Sequence, residues 1–208
     1  SAPCKSACPH HVPTQAYIQK IAKGEYKEAF DLITGKNPLQ NICALVCNHP
    51  CEDACIRSTY DSPVKIRQLK RFVLEYGRAQ GWKPAWATAE SNGHKVAVIG
   101  AGPAGMACAA ELRKGGYDVT VFEKETVAGG KLALGMPNYV LDKNVLAEEV
   151  NTLAEQGVNF AFGKALGKDF TIWDLDAEYE IDPEEFVSLG KATTFNGWKV
   201  AGRCKATV

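Results

Sequence analysis

The stretch that most limits the fold of this chain is Lys95–Glu123, KVAVIGAGPAGMACAAELRKGGYDVTVFE. A short apolar run, Val96–Ile99, leads into a glycine-rich turn at Gly100–Gly105, and good helix formers follow. A second apolar run, Val119–Phe122, ends at the acid Glu123. This order, with an acid about 20 residues after the glycines, is the pattern of a dinucleotide-binding βαβ unit. It predicts two buried parallel strands joined by a helix.

The glycines of this turn have separate physical roles. Gly100 permits the tight turn, Gly102 lets the backbone approach a pyrophosphate, and Gly105 lets the helix pack closely on the strand. The helix N-terminus offers N–H groups and a positive dipole to the phosphates, and Glu123 would accept hydrogen bonds from a ribose. An ordinary βαβ turn without a ligand is the alternative, because glycine-rich turns are common.

A second glycine pair follows the second strand, in Ala128-Gly129-Gly130-Lys131, and would allow further backbone approach to a cofactor. The candidate cofactor-binding residues are therefore Gly100, Gly102, Pro103, Ala104, Gly105, Glu123, Lys124, Gly130 and Lys131.

Composition narrows the class of protein. The 208 residues are 46% hydrophobic and 23% charged with zero formal net charge, so nothing favours a nucleic-acid or anionic-membrane partner. No apolar run approaches the roughly 18 residues of a membrane span, and no secretory signal pattern is present. We therefore expect a cytoplasmic globular protein of one large or two small domains.

The cysteines are concentrated at the amino end. Six of the eight lie within the first 55 residues: Cys4, Cys8, Cys43, Cys47, Cys51 and Cys55. Regular spacing beside a cofactor fingerprint favours reduced thiolates that hold metal, with disulfides or plain burial as the alternatives. For Cys108 and Cys204 we expect plain packing as small apolar residues.

Residues 1–80 contain almost no strand pattern and predict a small all-α domain. Cysteines four apart in Ile42–Cys55 would lie on one face of a helix or a compact turn, where thiolates converge. A domain this small buries little apolar surface, so a bound metal cluster would be needed to stabilise it. The predicted helices are Thr14–Lys23 with Thr14 as N-cap, Tyr26–Ile33 and Ile66–Tyr76.

The ligand chemistry favours iron and sulfide. Cysteine-only ligation, with a proline directly after Cys8, is typical of iron–sulfur proteins. Structural zinc is the alternative, although its usual paired CxxC spacing is absent. We expect His10, His11 and His49 to be exposed loop residues, and we assign no role to His94.

The rest of the chain divides at changes of pattern. Residues 81–93 predict a polar connector, and residues 94–166 predict a partial Rossmann-like domain with a helix at Asn144–Gln156 and a strand at Val158–Phe162. Residues 167–208 predict a β-rich tail. Its predicted features are strands at Lys168–Leu175 and Glu178–Ile181, a helix start at Asp182–Phe186, a hairpin at Asn196-Gly197, and core positions at Trp173 and Trp198.

Four segments together resemble the flavin–iron–sulfur module of the glutamate synthase small subunit family, which extends to the N-terminal half of dihydropyrimidine dehydrogenase. They are CKSACPHHVPTQAYIQKIAKGEYKEAF, NPLQNICALVCNHPCEDAC, SPVKIRQLKRFV and KVAVIGAGPAGMACAAELRKGGYDVTVFEKETVAGGKLALGMPNYVL, between about Cys4 and Phe162. The resemblance implies an α-helical ferredoxin-like domain with [4Fe–4S] clusters, followed by an FAD-binding domain.

The resemblance also implies cluster ligands. Cys4 and Cys55 resemble ligands of one cluster, and Cys8, Cys47 and Cys51 resemble ligands of another. The family's cysteine at the position of Cys43 is not clearly a ligand.

This chain departs from the family at several of these positions. The family's upstream cysteine pair is not in this sequence, so we expect one cluster, held by Cys8, Cys47, Cys51 and either Cys4 or Cys55, with two clusters as the alternative. Lys70 stands where close relatives place a Gln or Glu ligand, and an ammonium group cannot ligate. Val140 and Asp142 replace the family's arginine-proline in the flavin segment.

The tail resembles a different family, the C-terminal β segment of dihydroorotase-type amidohydrolases, through DFTIWDLDAEYEIDPEEFVSLGKATTFNGWKVAGRCKATV. Thr194 and Asn196 replace that family's Pro and Glu. Because that family's metal ligands and catalytic acids do not lie in such a tail, we infer no amidohydrolase activity and expect a structural β cap.

Together these features predict an electron-transfer oxidoreductase module with FAD and an iron–sulfur cluster, and no catalytic side chain. Members of the family carry a separate NADPH-binding domain, whereas this sequence has one glycine fingerprint. A redox partner would therefore supply the NAD(P)H site or the electron acceptor. The alternatives are a non-catalytic cofactor-binding or interaction subunit and a degenerate fragment that binds neither cofactor well.

Overall fold

The computed structural model describes residues 2–84, 86 and 89–179. These residues pack into two compact units. The first contains residues 2–84 and 86 together with Pro137–Glu149, and the second contains residues 89–136 and 150–179.

The first unit is built from short helices, and its described residues before Trp86 include no strand. This confirms the predicted helical amino-terminal region. The elements are α1 (Pro3–Ala7), α2 (Thr14–Ala22), α3 (Tyr26–Thr34), α4 (Gln40–Val46), α5 (Pro50–Asp53), a 3₁₀ turn (Ile56–Thr59) and α6 (Ile66–Ala79).

The core of the first unit forms where α2, α3 and α6 pack together. Tyr17 of α2, Phe30 of α3, and Val73 and Leu74 of α6 are almost completely buried there. Gly77 completes this packing, because a Cβ at that position would lie 2.5 Å from Cδ2 of Phe30.

One local prediction in this unit differs from the structure. Thr14 is the first helical residue and not the N-cap, which is Pro13, and the Thr14 hydroxyl donates back to the Val12 carbonyl at 3.3 Å. The cysteine-rich run, predicted as a helix or a compact turn, contains both, because α4 ends at Val46 and α5 starts at Pro50. His49 between them has a left-handed φ of 46°, which changes the direction of the chain.

The second unit contains a parallel sheet with strand order β1-β2-β3. Val98 pairs with Val121, and Val121 pairs with Phe160. The elements are β1 (Lys95–Ile99), α7 (Pro103–Lys114), β2 (Asp118–Glu123), α8 (Lys131–Leu134), α9 (Lys143–Glu155), β3 (Asn159–Phe162) and α10 (Ile172–Tyr179), and α9 contributes residues to both units. The Rossmann-like prediction is confirmed for this sheet.

Helices cover both faces of strand β1. A Cβ built at Gly105 on α7 would lie 3.5 Å from Val98, so α7 packs on the Val98 face. Ala97 and Ile99 point to the opposite face, where they pack with Leu175 of α10. This explains why the strand reads as a continuous apolar run.

The prediction of strands across residues 172–175 and 178–179 is wrong, because α10 occupies Ile172–Tyr179. A capping box begins this helix: the Thr171 N–H donates to the Asp174 carboxylate at 2.6 Å, and the Asp174 N–H donates to the Thr171 hydroxyl at 3.4 Å. Trp173 is 73% exposed and is not the predicted core residue. The features predicted at Asp182–Phe186, Asn196-Gly197, Trp198 and Cys204 lie outside the described residues.

Candidate functional site

Helix packing in the first unit brings together thiols from two separate segments of its sequence. The helix α1 packs on α5 and on α2. As a result Cys4 is buried in the core that contains Tyr17, and Cys8 and Cys51 pack against the same core. All seven described cysteines are free, so no disulfide links them.

Electrostatics show which of these thiols share one neighbourhood. Burial is the main cause that raises the pKa of the Tyr17 phenol, and Cys51, Cys8 and Cys4 raise it further. Burial also raises the pKa of the Cys51 thiol to about 11, with further contributions from Cys47 and Cys8. Cys4, Cys8 and Cys51 therefore lie near Tyr17, and Cys47 and Cys8 lie near Cys51. We call Cys4, Cys8, Cys47 and Cys51 the thiol group.

Two other cysteines of the amino-terminal run have different surroundings. Cys55 follows α5 and is half-buried. The Cys43 sulfur accepts a hydrogen bond from the Asn37 amide at 3.2 Å. Burial is the main cause that raises the pKa of Cys43, and Cys47 raises it further, so Cys43 lies near Cys47 as a buried thiol bound to Asn37.

No site for a single ion is formed among the described side chains, since no three His, Cys, Asp or Glu side chains converge as ligands of one ion. Tetrahedral zinc, with Zn–S bonds of about 2.3 Å, would bring thiolates to roughly 4 Å of each other. An iron–sulfur cluster is a larger body in which each thiolate binds a different iron, so its ligands need not converge on one point.

Buried nitrogen atoms without partners support the fit of such a cluster. Gln40 Nε2 and His49 Nδ1 are buried side-chain nitrogens with no hydrogen-bond partner, and both lie in the segment that carries Cys43, Cys47 and Cys51. The backbone N–H of His49 donates to the Cys47 sulfur at 3.3 Å. Sulfide and thiolate sulfurs accept hydrogen bonds of this kind, and those bonds tune the cluster. His11 is exposed as expected, whereas His49 is only half-exposed.

A polar network at the start of α4 was not predicted from the sequence. The Glu149 carboxylate of α9 is 5% exposed and accepts hydrogen bonds from the backbone N–H groups of Asn41 and Ile42, at 2.6 and 3.2 Å. Desolvation raises its pKa to about 7, against the lowering effect of these bonds and of Lys70. Because its partners are more than 100 residues away in sequence, no local pattern could have identified Glu149.

The glycine turn of the second unit has the geometry that the fingerprint predicts. Gly100 has a φ of 99°, which favours glycine. A Cβ at Gly105 would lie 1.9 Å from the Gly100 carbonyl oxygen, so this close helix–strand approach requires glycine. A Cβ at Gly102 would meet no atom within 4 Å, so open space lies where the pattern places a pyrophosphate.

The second glycine pair packs directly against this turn. The Gly129 N–H donates to the Ala101 carbonyl at 2.7 Å, and a Cβ at Gly130 would lie 3.4 Å from the Cα of Gly102. Lys131, the first residue of α8, is exposed. Lys124 is also exposed, and its ammonium lies 3.6 Å from the Glu125 carboxylate.

The predicted ribose acceptor, Glu123, is 2% exposed at the end of β2. Its carboxylate accepts hydrogen bonds from the Ala101 N–H at 2.7 Å and from the Glu125 N–H at 3.0 Å. An ionised carboxylate has about four acceptor positions, so two remain after these bonds. Glu123 thus holds the glycine turn, and its predicted contact with a ribose stays a prediction.

Comparison with known proteins matches both regions. Residues 1–82 match the family model described as dihydropyrimidine dehydrogenase domain II, 4Fe-4S cluster. Residues 98–144 match the model of an NAD(P)-binding Rossmann-like domain. The glutamate synthase [NADPH] small chain of Bacillus subtilis is 31% identical over 175 residues, covering 84% of this chain and 36% of that protein.

Over residues 1–82 and 98–144 the chain matches the family of the glutamate synthase small chain and dihydropyrimidine dehydrogenase. The NADP(+)-dependent formate dehydrogenase subunit beta of Moorella thermoacetica is 39% identical over 201 residues, covering 86% of this chain and 28% of that protein. The NADPH-Fe(3+) oxidoreductase subunit beta of Geobacter sulfurreducens (strain DL-1 / KN400) is 35% identical over 182 residues, covering 86% of this chain and 27% of that protein. These family members are oxidoreductase subunits by name.

The likeness is to part of each relative. The chain spans 28%, 27% and 36% of the three relatives named above. Among solved structures, histamine dehydrogenase from Rhizobium sp. 4-9 matches with a TM-score of 0.34 and 24% identity, over 73% of this chain and 21% of that one. No helix in the described part of the chain has the length and apolar character needed to cross a membrane.

Proposed function

We propose that this chain is an electron-transfer module of an NAD(P)H-linked oxidoreductase, with FAD on the glycine turn and a [4Fe–4S] cluster on the thiol group. The observation that carries the proposal is the gathering of Cys4, Cys8, Cys47 and Cys51 by the helices of the first unit. The match of residues 1–82 to a 4Fe-4S domain model supports the same assignment.

The residues that would hold the cluster are Cys8, Cys47 and Cys51 with Cys4 as the fourth ligand, and Cys55 as the alternative to Cys4. Two hydrogen bonds fix Cys47: the backbone N–H of His49 donates to its sulfur, and the Arg67 guanidinium donates to its carbonyl at 2.8 Å. The buried core around Tyr17 keeps water from the Cys4 side. One cluster is the proposed content, with two as the alternative.

The glycine turn would hold the diphosphate of FAD. Two observations favour a bound diphosphate here: the space around Gly102 is open, and the N-terminus of α7 begins at Pro103. Glu123 keeps the turn in place through the Ala101 N–H and keeps acceptor positions for a ribose. When bound, the flavin supplies hydride and single-electron chemistry and the cluster supplies single-electron chemistry. The chain's own residues bind and orient these groups, and no side chain is proposed as a general acid or base.

A partner subunit or domain would complete the electron path. The formate dehydrogenase and Fe(3+) oxidoreductase relatives are named as beta subunits, and their names include NADP(+) or NADPH. We infer that such a partner supplies the nicotinamide site or the electron acceptor for this chain. The proposed location is the cytoplasm, where thiols stay reduced.

The test is cofactor content after anaerobic purification, measured by absorbance and by assays of iron, acid-labile sulfide and flavin. We expect flavin, iron and sulfide in the wild-type protein, and Cys47→Ala should lose most of the iron. Cys43→Ala is the matched control, since it removes a thiol one helical turn earlier that is not a proposed ligand, and it should retain the iron.

Three outcomes would change the assignment. A colourless protein that contains zinc would overturn the iron–sulfur proposal. Full iron content in Cys47→Ala would overturn the ligand choice. Flavin and iron without any bleaching of the flavin by NADPH would favour the alternative, a cofactor-binding subunit without turnover of its own.

A further inference from the structure

Lys70 and Gln40 form a contact between two helices of the first unit. Lys70 lies on α6 and Gln40 begins α4, and these helices pack against each other. The Lys70 ammonium donates to Gln40 Oε1 at 3.3 Å. Lys70 is half-buried and Gln40 is only 1% exposed, so the contact is shielded from bulk water.

This contact fixes the orientation of the Gln40 amide. Because Oε1 faces the ammonium group, Nε2 is the end that stays free, and it is buried without a hydrogen-bond partner. A buried N–H donor without an acceptor costs about 1–3 kcal/mol, so a native structure normally provides an acceptor. The acceptor therefore comes from outside the protein chain, as an ordered water or a bound group.

Helix geometry places Lys70 next to the segment that carries the proposed ligands. Arg67, three residues earlier on α6, donates from its guanidinium to the Cys47 carbonyl at 2.8 Å, and its backbone N–H donates at 2.8 Å to the carboxylate of Glu52, the neighbour of Cys51. Residues three apart on a helix lie on the same face, so Lys70 lies on the face of α6 that contacts the cysteine segment. The Arg67 guanidinium is bound to the Cys47 carbonyl, whereas the Lys70 ammonium is held by Gln40 Oε1.

We propose that Lys70 and Gln40 are positioning residues that place a positive charge and an N–H donor against the iron–sulfur cluster and so raise its reduction potential. The inference rests on the proposed cluster at Cys8, Cys47 and Cys51. Lys70 is not a ligand, since an ammonium has no lone pair to donate to iron. It acts through charge instead: reduction adds an electron to the cluster, and a nearby cation stabilises that added negative charge.

The experiment is a potentiometric titration of the anaerobically purified full chain, followed by electron paramagnetic resonance, with iron and sulfide measured on each sample. Lys70→Met removes the charge and nearly keeps the side-chain length. We expect full iron content and at least a tenfold shift of the one-electron equilibrium towards the oxidised cluster, which is 59 mV or more towards negative potential. Gln40→Leu should shift the potential in the same direction by a smaller amount.

Two controls separate a local charge from a general one. Lys70→Arg keeps the cation and should keep the potential close to the wild-type value. Lys23→Met removes the same net charge from an exposed position after α2 and should leave the potential unchanged.

The inference and the proposed function fail in different ways. A wild-type protein without iron, sulfide and a paramagnetic signal would overturn both. A normal cluster whose potential does not change in Lys70→Met would overturn only the role of Lys70. Loss of iron from Lys70→Met would also overturn the tuning role, because Lys70 would then be needed to hold the cluster.

Discussion

The buried carboxylate of Glu149 joins α9 to the start of α4 through the N–H groups of Asn41 and Ile42. Desolvation is the largest influence on it and raises its pKa from 4.5 to about 7. Its neighbour Glu148 is exposed and forms an ion pair with Arg78. Two adjacent acids on one helix therefore have different environments.

Glu149 should make the stability of the first unit depend on pH. Between about pH 4.5 and 7 the folded protein binds more protons at this group than the unfolded chain does, so the free energy of unfolding falls as pH rises through that range. The fall has an upper limit of about 3 kcal/mol. Urea unfolding at a series of pH values should show this slope in the wild-type protein and lose it in Glu149→Gln.

Glu148→Gln is the matched control for this measurement. It removes the same charge from an exposed neighbouring position and should keep the wild-type slope. An equal slope in the wild-type protein and Glu149→Gln would contradict the shifted pKa.

The difference between predicted and unpredicted residues follows from the range of their contacts. The roles of Gly100 and Gly105 were predictable because a local turn imposes them. Gln40 and Glu149 were not, since each acquires its role from a partner on another helix. Tyr17 reads as one more apolar position of α2, and only packing places thiols around it.

In the turn between β1 and α7, Gly105 is needed for folding and Gly102 is needed for the proposed diphosphate binding. Gly105→Ala should destabilise the second unit by about 1–3 kcal/mol, because its methyl group would overlap the Gly100 carbonyl. Gly102→Ala should fold normally, since its φ of −73° suits any L residue and the space around it is open. It should nevertheless weaken flavin binding, because the methyl group enters the proposed diphosphate position.

Thermal unfolding and flavin titration of both variants check this prediction. A large loss of stability in Gly102→Ala, or unchanged flavin affinity, would contradict it.

Elements were predictable where sequence periodicity and end markers agreed. The strands β1 and β2 and the helices α2, α3, α6 and α7 have clear apolar patterns bounded by glycine or proline, and they were predicted within a few residues. The helix α10 was missed because its alternating apolar residues resemble a strand. Its T-x-x-D capping box at Thr171–Asp174 was the available local sign of a helix start.

The chain as a whole has separate apolar cores in its two units. One core contains Tyr17, Phe30 and Leu74, and another contains Ala97, Ile99 and Leu175. Pro137–Glu149 belongs to the same unit as the amino-terminal helices. The domain boundaries predicted from the sequence follow chain order, and they stay predictions.

Removing iron should therefore weaken one unit selectively. Metal binding and folding are coupled in small metal-stapled domains, so chelation under anaerobic conditions should raise amide hydrogen exchange in α1, α2 and α5. Protection in β1, α7 and β2 should stay within error of the untreated protein. Hydrogen exchange measured by mass spectrometry checks both regions at once, and a uniform increase over the whole chain would contradict the prediction.

The bond from the Ala101 N–H to the Glu123 carboxylate has a consequence for ligand affinity. It restrains the loop before any nucleotide arrives, so the loop loses its conformational freedom during folding and not during association. Preorganisation of this kind reduces the entropy lost on association and strengthens affinity without any added contact. The acid at the end of β2 would then serve the nucleotide twice, as a partner for its sugar and as the brace that keeps its phosphate cradle in shape.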